Sequence, residues 1–191
     1  MPENYTLARI RLDAIKIDPT VQQRAAGTSQ DVIDEYAEAM RNGVKFPPID
    51  VFGYDDGPFD LGDGFHRVKA HQLAHPDAKD IECRVHPGDR DDALLFACGT
   101  NTQHGLQRSR ADKLKAATTL LRSDKWLGWS DREIARQCAV SHTYVGQVRD
   151  HLATFPDADT EQRPQRRHPP RPIEPNRFDA APPGAAGDVT D

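Results

Sequence analysis

The spacing of apolar residues changes character about halfway along the chain. Over 7–17 apolar and polar residues roughly alternate, which predicts one opening strand that ends at a turn. Helical spacing over 29–43, with capping signals at both ends, predicts a helix. A turn-rich segment inside 49–61 predicts a hairpin, and the pattern then gives a short helix over 68–74 and a strand over 81–85. Strands and helices therefore interleave, which is typical of a mixed α/β (α+β) domain.

From Asp91 to about Leu152 the apolar spacing is helical throughout, so this half is predicted to be all-α. Beyond Phe155 the composition changes again, because eight of the fifteen prolines fall among Arg, Asp, Ala and Gly. Such a composition does not bury a core, and we interpret this tail as disordered. The expected organisation is an α/β domain over 1–98, a helical domain over 99–155 and a Pro-rich disordered tail over 156–191.

Composition narrows the class of protein. The chain has 191 residues, 37% of them hydrophobic and 29% charged, with a mean hydropathy of −0.74. This favours one or two small soluble domains, and no run approaches the ~18 apolar residues of a spanning helix. The three cysteines, Cys83, Cys98 and Cys138, lie far apart without a C-x-x-C pair. This spacing argues against a disulfide framework and a structural zinc site and indicates packed thiols in a cytoplasmic protein.

Charge is distributed unevenly along the chain. The net charge is −5 overall, but it is −7 over residues 1–99 and +4 over residues 100–152. Because attraction to phosphate acts within a Debye length of ~8–10 Å, the basic helical segment is a candidate for binding a polyanion. The alternative is an ordinary solvated helical face, and both interpretations stay open for four basic residues at its start: Arg108, Arg110, Lys113 and Lys115.

A glycine-rich turn separates a predicted strand from a predicted helix. Gly62 and Gly64 flank Asp63, so backbone N–H groups can approach an anion at the start of the helix. His66 and Arg67 follow in the first helical turn, where both side chains can donate to phosphate oxygens. The alternative is a purely structural turn in which Arg67 pairs with a surface carboxylate.

Three short segments resemble, in order and spacing, the boxes of the ParB/sulfiredoxin superfamily over about residues 7–120. They are Gln22-Gln23-Arg24, Gly64-Phe65-His66-Arg67-Val68-Lys69-Ala70 and Asn101-Thr102-Gln103-His104. In ParB proteins the corresponding boxes bind a nucleoside triphosphate, which is CTP in chromosome-partition members. Gly-Phe-His-Arg is also similar to the phosphate loop of sulfiredoxin, so the resemblance implies CTP or ATP, with Mg²⁺. The nucleotide-binding residues expected are Arg24, Gly62, Asp63, Gly64, Phe65, His66, Arg67, Lys69, Asn101, Gln103 and His104.

Departures from the family pattern bear on catalysis. Thr100 stands where ParB proteins have a glutamate linked to metal and hydrolysis, so weak nucleotide hydrolysis is the most that the resemblance implies. Phe65 stands where sulfiredoxin has its attacking cysteine, and without that thiolate the chain is not a sulfinic-acid reductase. The alternative function is a ParB-like nuclease or an ATP-dependent phosphotransferase that acts on DNA or protein, with Asp63, His66 and His104 as metal ligands or general base.

The segment from Ser130 to Arg149 predicts a helix-turn-helix. Ser130 with Glu133 forms a capping box for one helix, and Ser141 caps the next after a tight turn at Ala139. The apolar positions that the two helices would bury against each other are Ile134, Cys138, Val140, Val145 and Val148. The expected DNA-binding residues on the second helix are Ser141, His142, Thr143, Tyr144, Gln147 and Arg149.

Among these residues, Gln147 and Arg149 are the expected readers of base edges, and Thr143 and Tyr144 are the expected phosphate contacts. The alternative is a helical hairpin that only packs on the first half. The favoured hypothesis is a ParB-like DNA-binding protein with a nucleotide pocket, active in plasmid or chromosome partition or in transcription regulation. Its expected partners are double-stranded DNA and a nucleoside triphosphate, and a monomer and a homodimer both stay open. We expect it at the nucleoid in the cytoplasm and not at a membrane.

Overall fold

Strands and helices interleave in the first half of the structure and only helices follow, as the apolar pattern predicts. The computed structural model describes residues 5–55, 57–100 and 108–155. The strands are β1 (Thr6–Arg11), β2 (Ile15–Lys16), β3 (Ile49–Phe52), β4 (Phe59–Asp63) and β5 (Asp80–His86). The helices are α1 (Gln30–Arg41), α2 (Phe65–Ala74), α3 (Arg90–Gly99), α4 (Arg110–Arg122), α5 (Asp131–Cys138) and α6 (His142–Thr154).

These strands form one mixed sheet in the order β1-β5-β3-β4-β2. β1 is antiparallel to β5, and β3 is antiparallel to β4. The other two pairs, β3 with β5 and β2 with β4, are parallel. The predicted hairpin is confirmed as β3 and β4, whose register shifts between Asp50 and Val51. This hairpin lies near the centre of the sheet and leads directly into α2.

The prediction of a single opening strand over 7–17 is wrong. A short 3₁₀ turn at Leu12–Ala14 separates β1 from β2, and the Leu12 N–H donates to the carbonyl of Lys79 at 2.9 Å. β1 pairs at one edge of the sheet and β2 at the other, so the chain changes partners at this turn. Alternation of apolar residues shows which face of a strand is buried but not which strand it pairs with. The alternating pattern therefore continues across a change of partner.

Helices cover the sheet with small and branched apolar side chains. α1 buries Ile33 and Ala37 against Ala70 of α2, and α2 buries Val68 in the main core. Phe96 of α3 lies against the ring of Phe52 on β3, with ring centroids 5.2 Å apart. The glycine turn between β4 and α2 is thus supported from both α1 and α3.

The main core continues from the sheet into the helical half. Leu61 on β4, Cys98 on α3, Leu120 on α4 and Ile134 on α5 belong to one buried cluster. α3 therefore contacts both the sheet and the later helices, and the domain boundary at 98/99 stays a prediction. The segment over 156–191 lies outside the described residues.

The three cysteines are buried free thiols, as expected for packed side chains. Burial raises the pKa of Cys83 to about 12 and that of Cys138 to about 11. Burial also raises the pKa of Cys98, on which the nearby Cys138 acts in the same direction. These thiols therefore stay protonated at neutral pH, and none is placed as a nucleophile.

Candidate functional site

The glycine turn is packed too closely for a side chain at Gly62 or Gly64. Gly64 adopts φ +102°, and a Cβ there would lie 2.4 Å from Cγ2 of Ile49. A Cβ on Gly62 would lie 2.8 Å from the ring of Phe52. Gly64 is the N-cap of α2, and no side chain caps this helix. The predicted strand-to-helix turn is confirmed, and its N-cap residue supplies no side-chain acceptor to the start of α2.

Arg67 fastens this turn to the segment before β3. Its Nη1 donates to the carbonyl oxygens of Pro47 and Pro48, each at 2.6 Å, and its Nη2 donates to Asp63 Oδ2 at 2.7 Å. The side chain is only 15% exposed. This geometry matches the structural alternative, in which Arg67 pairs with a carboxylate. Its role in phosphate binding stays a prediction.

The first turns of α2 also hold the segment before α1. Nε2 of His66 accepts a hydrogen bond from the Ser29 N–H at 3.0 Å, and Lys69 Nζ donates to Thr28 Oγ1 at 2.8 Å. The pKa of His66 is lowered by burial and by the charges of Arg24 and Lys69. Arg24, His66 and Lys69, which we call the basic triad, therefore lie close enough to act on one another beside the N-terminus of α2.

Arg24 is held by a carboxylate from the helical half. Its Nη1 donates to Asp112 Oδ2 at 3.0 Å, and the Ala25 N–H donates to Asp112 Oδ1 at 2.8 Å. Asp112 Oδ2 also accepts from the Ser109 N–H at 2.9 Å. Burial acts to raise the pKa of Asp112, but these hydrogen bonds from Ala25, Ser109 and Arg24 outweigh it, so the pKa is lowered and the group stays ionised.

Sequence reasoning missed Asp112. The Ser109-x-x-Asp112 capping box was a visible signal, and both of its hydrogen bonds are present at the start of α4. A capping box predicts an exposed carboxylate, whereas Asp112 is only 5% exposed. Its partly buried partner, Arg24, lies 88 residues earlier in the chain.

A small cleft joins the glycine turn to α3 and α4. Among the predicted nucleotide-binding residues, Arg24, Gly62, Asp63 and Phe65 line it. The other lining residues are Gln22, Gln23, Ala97, Thr100, Arg108 and Asp112. Asn101, Gln103 and His104 lie outside the described residues. The structure thus brings the first two of the three family boxes together at one cleft, next to Thr100, which precedes the third.

Arg108 points into the protein rather than toward solvent. Its Nη1 donates to the carbonyl oxygens of Cys98 and Cys138, at 2.9 and 3.2 Å. These carbonyls lie at the C-terminal ends of α3 and α5, where a cation is favourable. Lys115 Nζ similarly donates to the carbonyl of Arg24 at 3.2 Å. These hydrogen bonds do not fit a purely solvated face for Arg108 and Lys115, and their part in a phosphate surface stays a prediction.

α5 and α6 are joined by a tight turn with the predicted caps. The Ser130 and Glu133 capping box is present, and Ser141 Oγ accepts from the Tyr144 N–H at 3.2 Å. Ala139 ends α5 in the left-handed region, at φ +50° and ψ +51°. The facing side chains of the two helices are buried, as predicted for Ile134, Cys138, Val145 and Val148, whereas Val140, also predicted, is only partly buried against the main core.

The predicted DNA-binding residues fall into two groups. Ser141, His142 and Thr143 are exposed at the start of α6, and Tyr144 and Gln147 are half-buried. Arg149 instead faces α5, because its Nε donates to Asp131 Oδ1 at 2.9 Å and its Nη2 donates to the carbonyl of Trp129 at 3.2 Å. The side chain is nevertheless 39% exposed, so Arg149 faces outward only in part. Any role in DNA binding stays a prediction for all six residues.

The described residues also bear on metal binding and on membrane insertion. Across 5–55, 57–100 and 108–155, no three His, Cys, Asp or Glu side chains are grouped so that they could hold a metal ion. In the same residues, no helix combines the length and the apolar character that crossing a membrane requires.

The sequence model of the ParB N-terminal domain matches residues 2–102. A possible regulatory protein of the streptomycin biosynthesis operon in Streptomyces griseus is 31% identical over 131 residues. That match covers 69% of this chain and 35% of the relative, so the chain spans about a third of the relative's length.

Two solved structures have a similar fold. One is the C-terminally truncated chromosome-partitioning protein ParB from Caulobacter crescentus bound to the centromeric parS site, with 19% identity and a TM-score of 0.51 over 78% of this chain and 73% of that one. The other is a Pnob8-like ParB-N domain, with 15% identity and a TM-score of 0.52 over 80% and 71%. The match over more than half of the sequence confirms the resemblance, and the chain belongs to the ParB N-terminal domain family.

Proposed function

We propose that the chain binds a nucleoside triphosphate, CTP or ATP with Mg²⁺, at the N-terminus of α2. The observation that carries this proposal is the convergence of the basic triad beside the uncapped start of α2. Two cationic side chains, Arg24 and Lys69, and the positive end of a helix dipole match the charge of a triphosphate, and His66 can gain a proton beside it. Gly64 supplies the positive φ that the turn needs while it packs against Ile49, and the turn leads directly into the N-terminus of α2.

We propose that Mg²⁺ arrives with the nucleotide and that Asp63, which lines the cleft, is the carboxylate that would hold it. Mg²⁺ keeps several waters and binds in such sites through one or two carboxylates and the substrate phosphates. A preformed cluster of three protein ligands is therefore not required. When bound, the ion would neutralise part of the phosphate charge.

We expect hydrolysis to be weak at most. Thr100 takes the place of the family's glutamate, and its Oγ1 donates to the carbonyl of Ala97 at 3.1 Å. A hydroxyl held at the end of α3 supplies no carboxylate to a metal ion or to an attacking water. The nucleotide is thus proposed as a ligand that alters how the protein binds DNA, and not primarily as a substrate.

We also propose that α5 and α6 form a DNA-binding helix-turn-helix. Three features support it: the caps at both helix starts, the left-handed residue in the turn, and the exposed polar residues at the start of α6. A helix N-terminus with exposed hydroxyl and imidazole groups suits phosphate contacts, while Gln147, one turn further, suits an adenine edge. The parS-bound ParB of similar fold and the streptomycin-operon relative favour a role in partition or regulation.

Isothermal titration with CTP, ATP, GTP and UTP, each with Mg²⁺, tests the nucleotide site and identifies the base. Saturable binding of CTP or ATP, with weaker binding of the other nucleotides, is the expected result. Equal, weak binding of all four would show an unspecific anion surface, and no binding would overturn the nucleotide proposal.

Selection of duplexes from a random-sequence pool tests the helix-turn-helix. An enriched sequence is expected, together with an affinity that falls steeply with salt. Gln147→Ala should weaken binding by about 1–3 kcal/mol and relax one base of the selected site if Gln147 reads that base. Without an enriched sequence and salt-dependent binding, α5 and α6 are a packing unit only.

A further inference from the structure

Asp112 occupies a site that is built for an anion. Its two carboxylate oxygens accept hydrogen bonds from the Arg24 guanidinium and from the backbone N–H groups of Ala25 and Ser109. All three donors lie 2.8–3.0 Å from the carboxylate, which is almost fully buried. The Arg24 guanidinium and the Ala25 N–H come from one segment and are donors that also bind a phosphate group, whereas the Ser109 N–H bonds Asp112 within the capping box of α4.

Arg24 and Asp112 both line the cleft that the glycine turn shares with α3 and α4, beside the site proposed for the nucleotide. Arg24 is also a member of the basic triad. A phosphate group that used the Arg24 guanidinium and the Ala25 N–H would need the place that the Asp112 carboxylate now takes. Two anions cannot share one guanidinium edge and one N–H group at hydrogen-bonding distance without strong repulsion.

We propose that Asp112 is an internal competitor, a carboxylate of the protein that closes the anion site until a phosphate group displaces it. This inference rests on the proposed nucleotide site and specifies how that site is regulated. Asp112 holds the Arg24 segment to the start of α4, so a ligand that binds Arg24 releases α4 from that segment.

The release would be transmitted toward α5. Asp112 is the third residue of α4 and completes its capping box with Ser109. Its carbonyl also accepts from Arg108 Nη2 at 3.4 Å, and Arg108 in turn bonds to the last residue of α5, Cys138. Displacement of Asp112 therefore loosens the first turn of α4, to which the end of α5 is tied.

Inorganic tripolyphosphate tests the competition without involving a nucleotide base. Wild-type protein, Asp112→Asn and Asp92→Asn are titrated with tripolyphosphate, and with CTP and ATP in Mg²⁺. Asp92 is the matched control, because it holds the same third position of a capping box in α3 and its substitution removes the same single charge. Asp112→Asn is expected to bind tripolyphosphate about tenfold more tightly than either of the other two proteins.

Hydrogen exchange of the wild-type protein supplies a readout that does not depend on how well the variant folds. Tripolyphosphate is expected to speed exchange at the Ser109 N–H, which loses its carboxylate acceptor, and to leave the Asp89 N–H at the α3 capping box unchanged. Slower or unaltered exchange at Ser109 with saturating ligand would overturn the proposal.

The outcomes separate this inference from the nucleotide proposal. Nucleotide binding that is equal in wild-type protein and Asp112→Asn leaves the nucleotide site standing and overturns the competition. Tighter binding of tripolyphosphate by Asp112→Asn, without binding of CTP or ATP by any variant, supports the competition and overturns the nucleotide assignment. If no variant binds any of these anions, both proposals are wrong.

Discussion

Arg149 on α6 donates from Nε to Oδ1 of Asp131, the first residue of α5, at 2.9 Å. The guanidinium also reaches the carbonyl of Trp129, just before α5 begins. Gly146 on α6 lies close to the same carboxylate, since a Cβ at Gly146 would be 3.2 Å from Asp131 Oδ2. These contacts set the position of α6 against the start of α5.

Arg149→Met should lower the free energy of unfolding by about 0.5–1 kcal/mol, because a partly exposed ion pair contributes little beyond that. The two side chains are 39% and 34% exposed, which keeps the effect small. Urea unfolding of Arg149→Met, Asp131→Asn and the double variant measures the coupling between them. If the losses of unfolding free energy in the two single variants add up in the double variant, the two side chains do not interact.

The same two variants separate positioning from direct reading of bases. If Arg149 positions α6, both Arg149→Met and Asp131→Asn should weaken binding to the selected duplex, although Asp131→Asn removes a negative charge from the protein. We expect this result because the same hydrogen bond is lost in both. Weakened binding in Arg149→Met alone, with Asp131→Asn equal to or tighter than wild type, would indicate that the guanidinium leaves Asp131 to contact DNA.

Ala139→Gly should stabilise the protein by about 1 kcal/mol. The left-handed conformation at Ala139 is strained for a residue with a Cβ, and this strain exceeds the entropy that a flexible glycine loses on folding. Thermal or urea unfolding measures the change, and the exposed position of Ala139 means that little packing is lost. Ala135→Gly, at a buried helical position nearby, is the control and should destabilise. A loss of stability in Ala139→Gly would show that the turn is not strained.

Lys69→Ala should weaken nucleotide binding by about tenfold, since a charge-assisted contact to phosphate is lost. The control is Thr28→Val, which removes the hydrogen bond between Lys69 and Thr28 but keeps the charge. Calorimetric titration with the preferred nucleotide measures both variants. Equal weakening in the two would mean that Lys69 acts by ordering the segment before α1 and not by contacting the ligand.

Local features of the site were predictable from sequence because their causes lie within a few residues. The glycine turn at Gly64 and the capping box at Ser130 each follow from residue types at fixed short spacing. The hairpin of β3 and β4 was predictable for the same reason, since its strands flank one turn-rich segment.

Features that depend on distant partners were not predictable. The partner of Arg24 is 88 residues away, and Arg149 faces a carboxylate 18 residues earlier in the chain. Helical spacing placed Arg149 on an outward face, but the close approach at Gly146 brings Asp131 within reach of a long side chain. Similarly, apolar alternation over 7–17 carried no sign that β1 and β2 join opposite edges of the sheet.

His66 should make the protein less stable as the pH falls below about 6.5, the ordinary pKa of histidine. Its pKa in the folded protein is lowered by burial and by the charges of Arg24 and Lys69. Between the folded and unfolded pKa values the unfolded chain binds more protons, so the free energy of unfolding falls with falling pH and is fully retained above 6.5. Urea unfolding at intervals from pH 8 to pH 5.5 measures this slope.

His66→Gln should flatten part of that slope, because glutamine does not titrate and its amide oxygen can accept from the Ser29 N–H as Nε2 does. His71 is the control, since burial also lowers its pKa and His71→Gln should flatten a separate part. A bound triphosphate adds negative charge beside His66 and favours its protonated form, so nucleotide affinity should rise between pH 8 and pH 6 in wild-type protein and rise less in His66→Gln. If the slope of stability against pH is the same in His66→Gln as in wild-type protein, His66 titrates alike in the folded and unfolded chain. The charges of Arg24 and Lys69 would then not act on it, and the basic triad would be wrong.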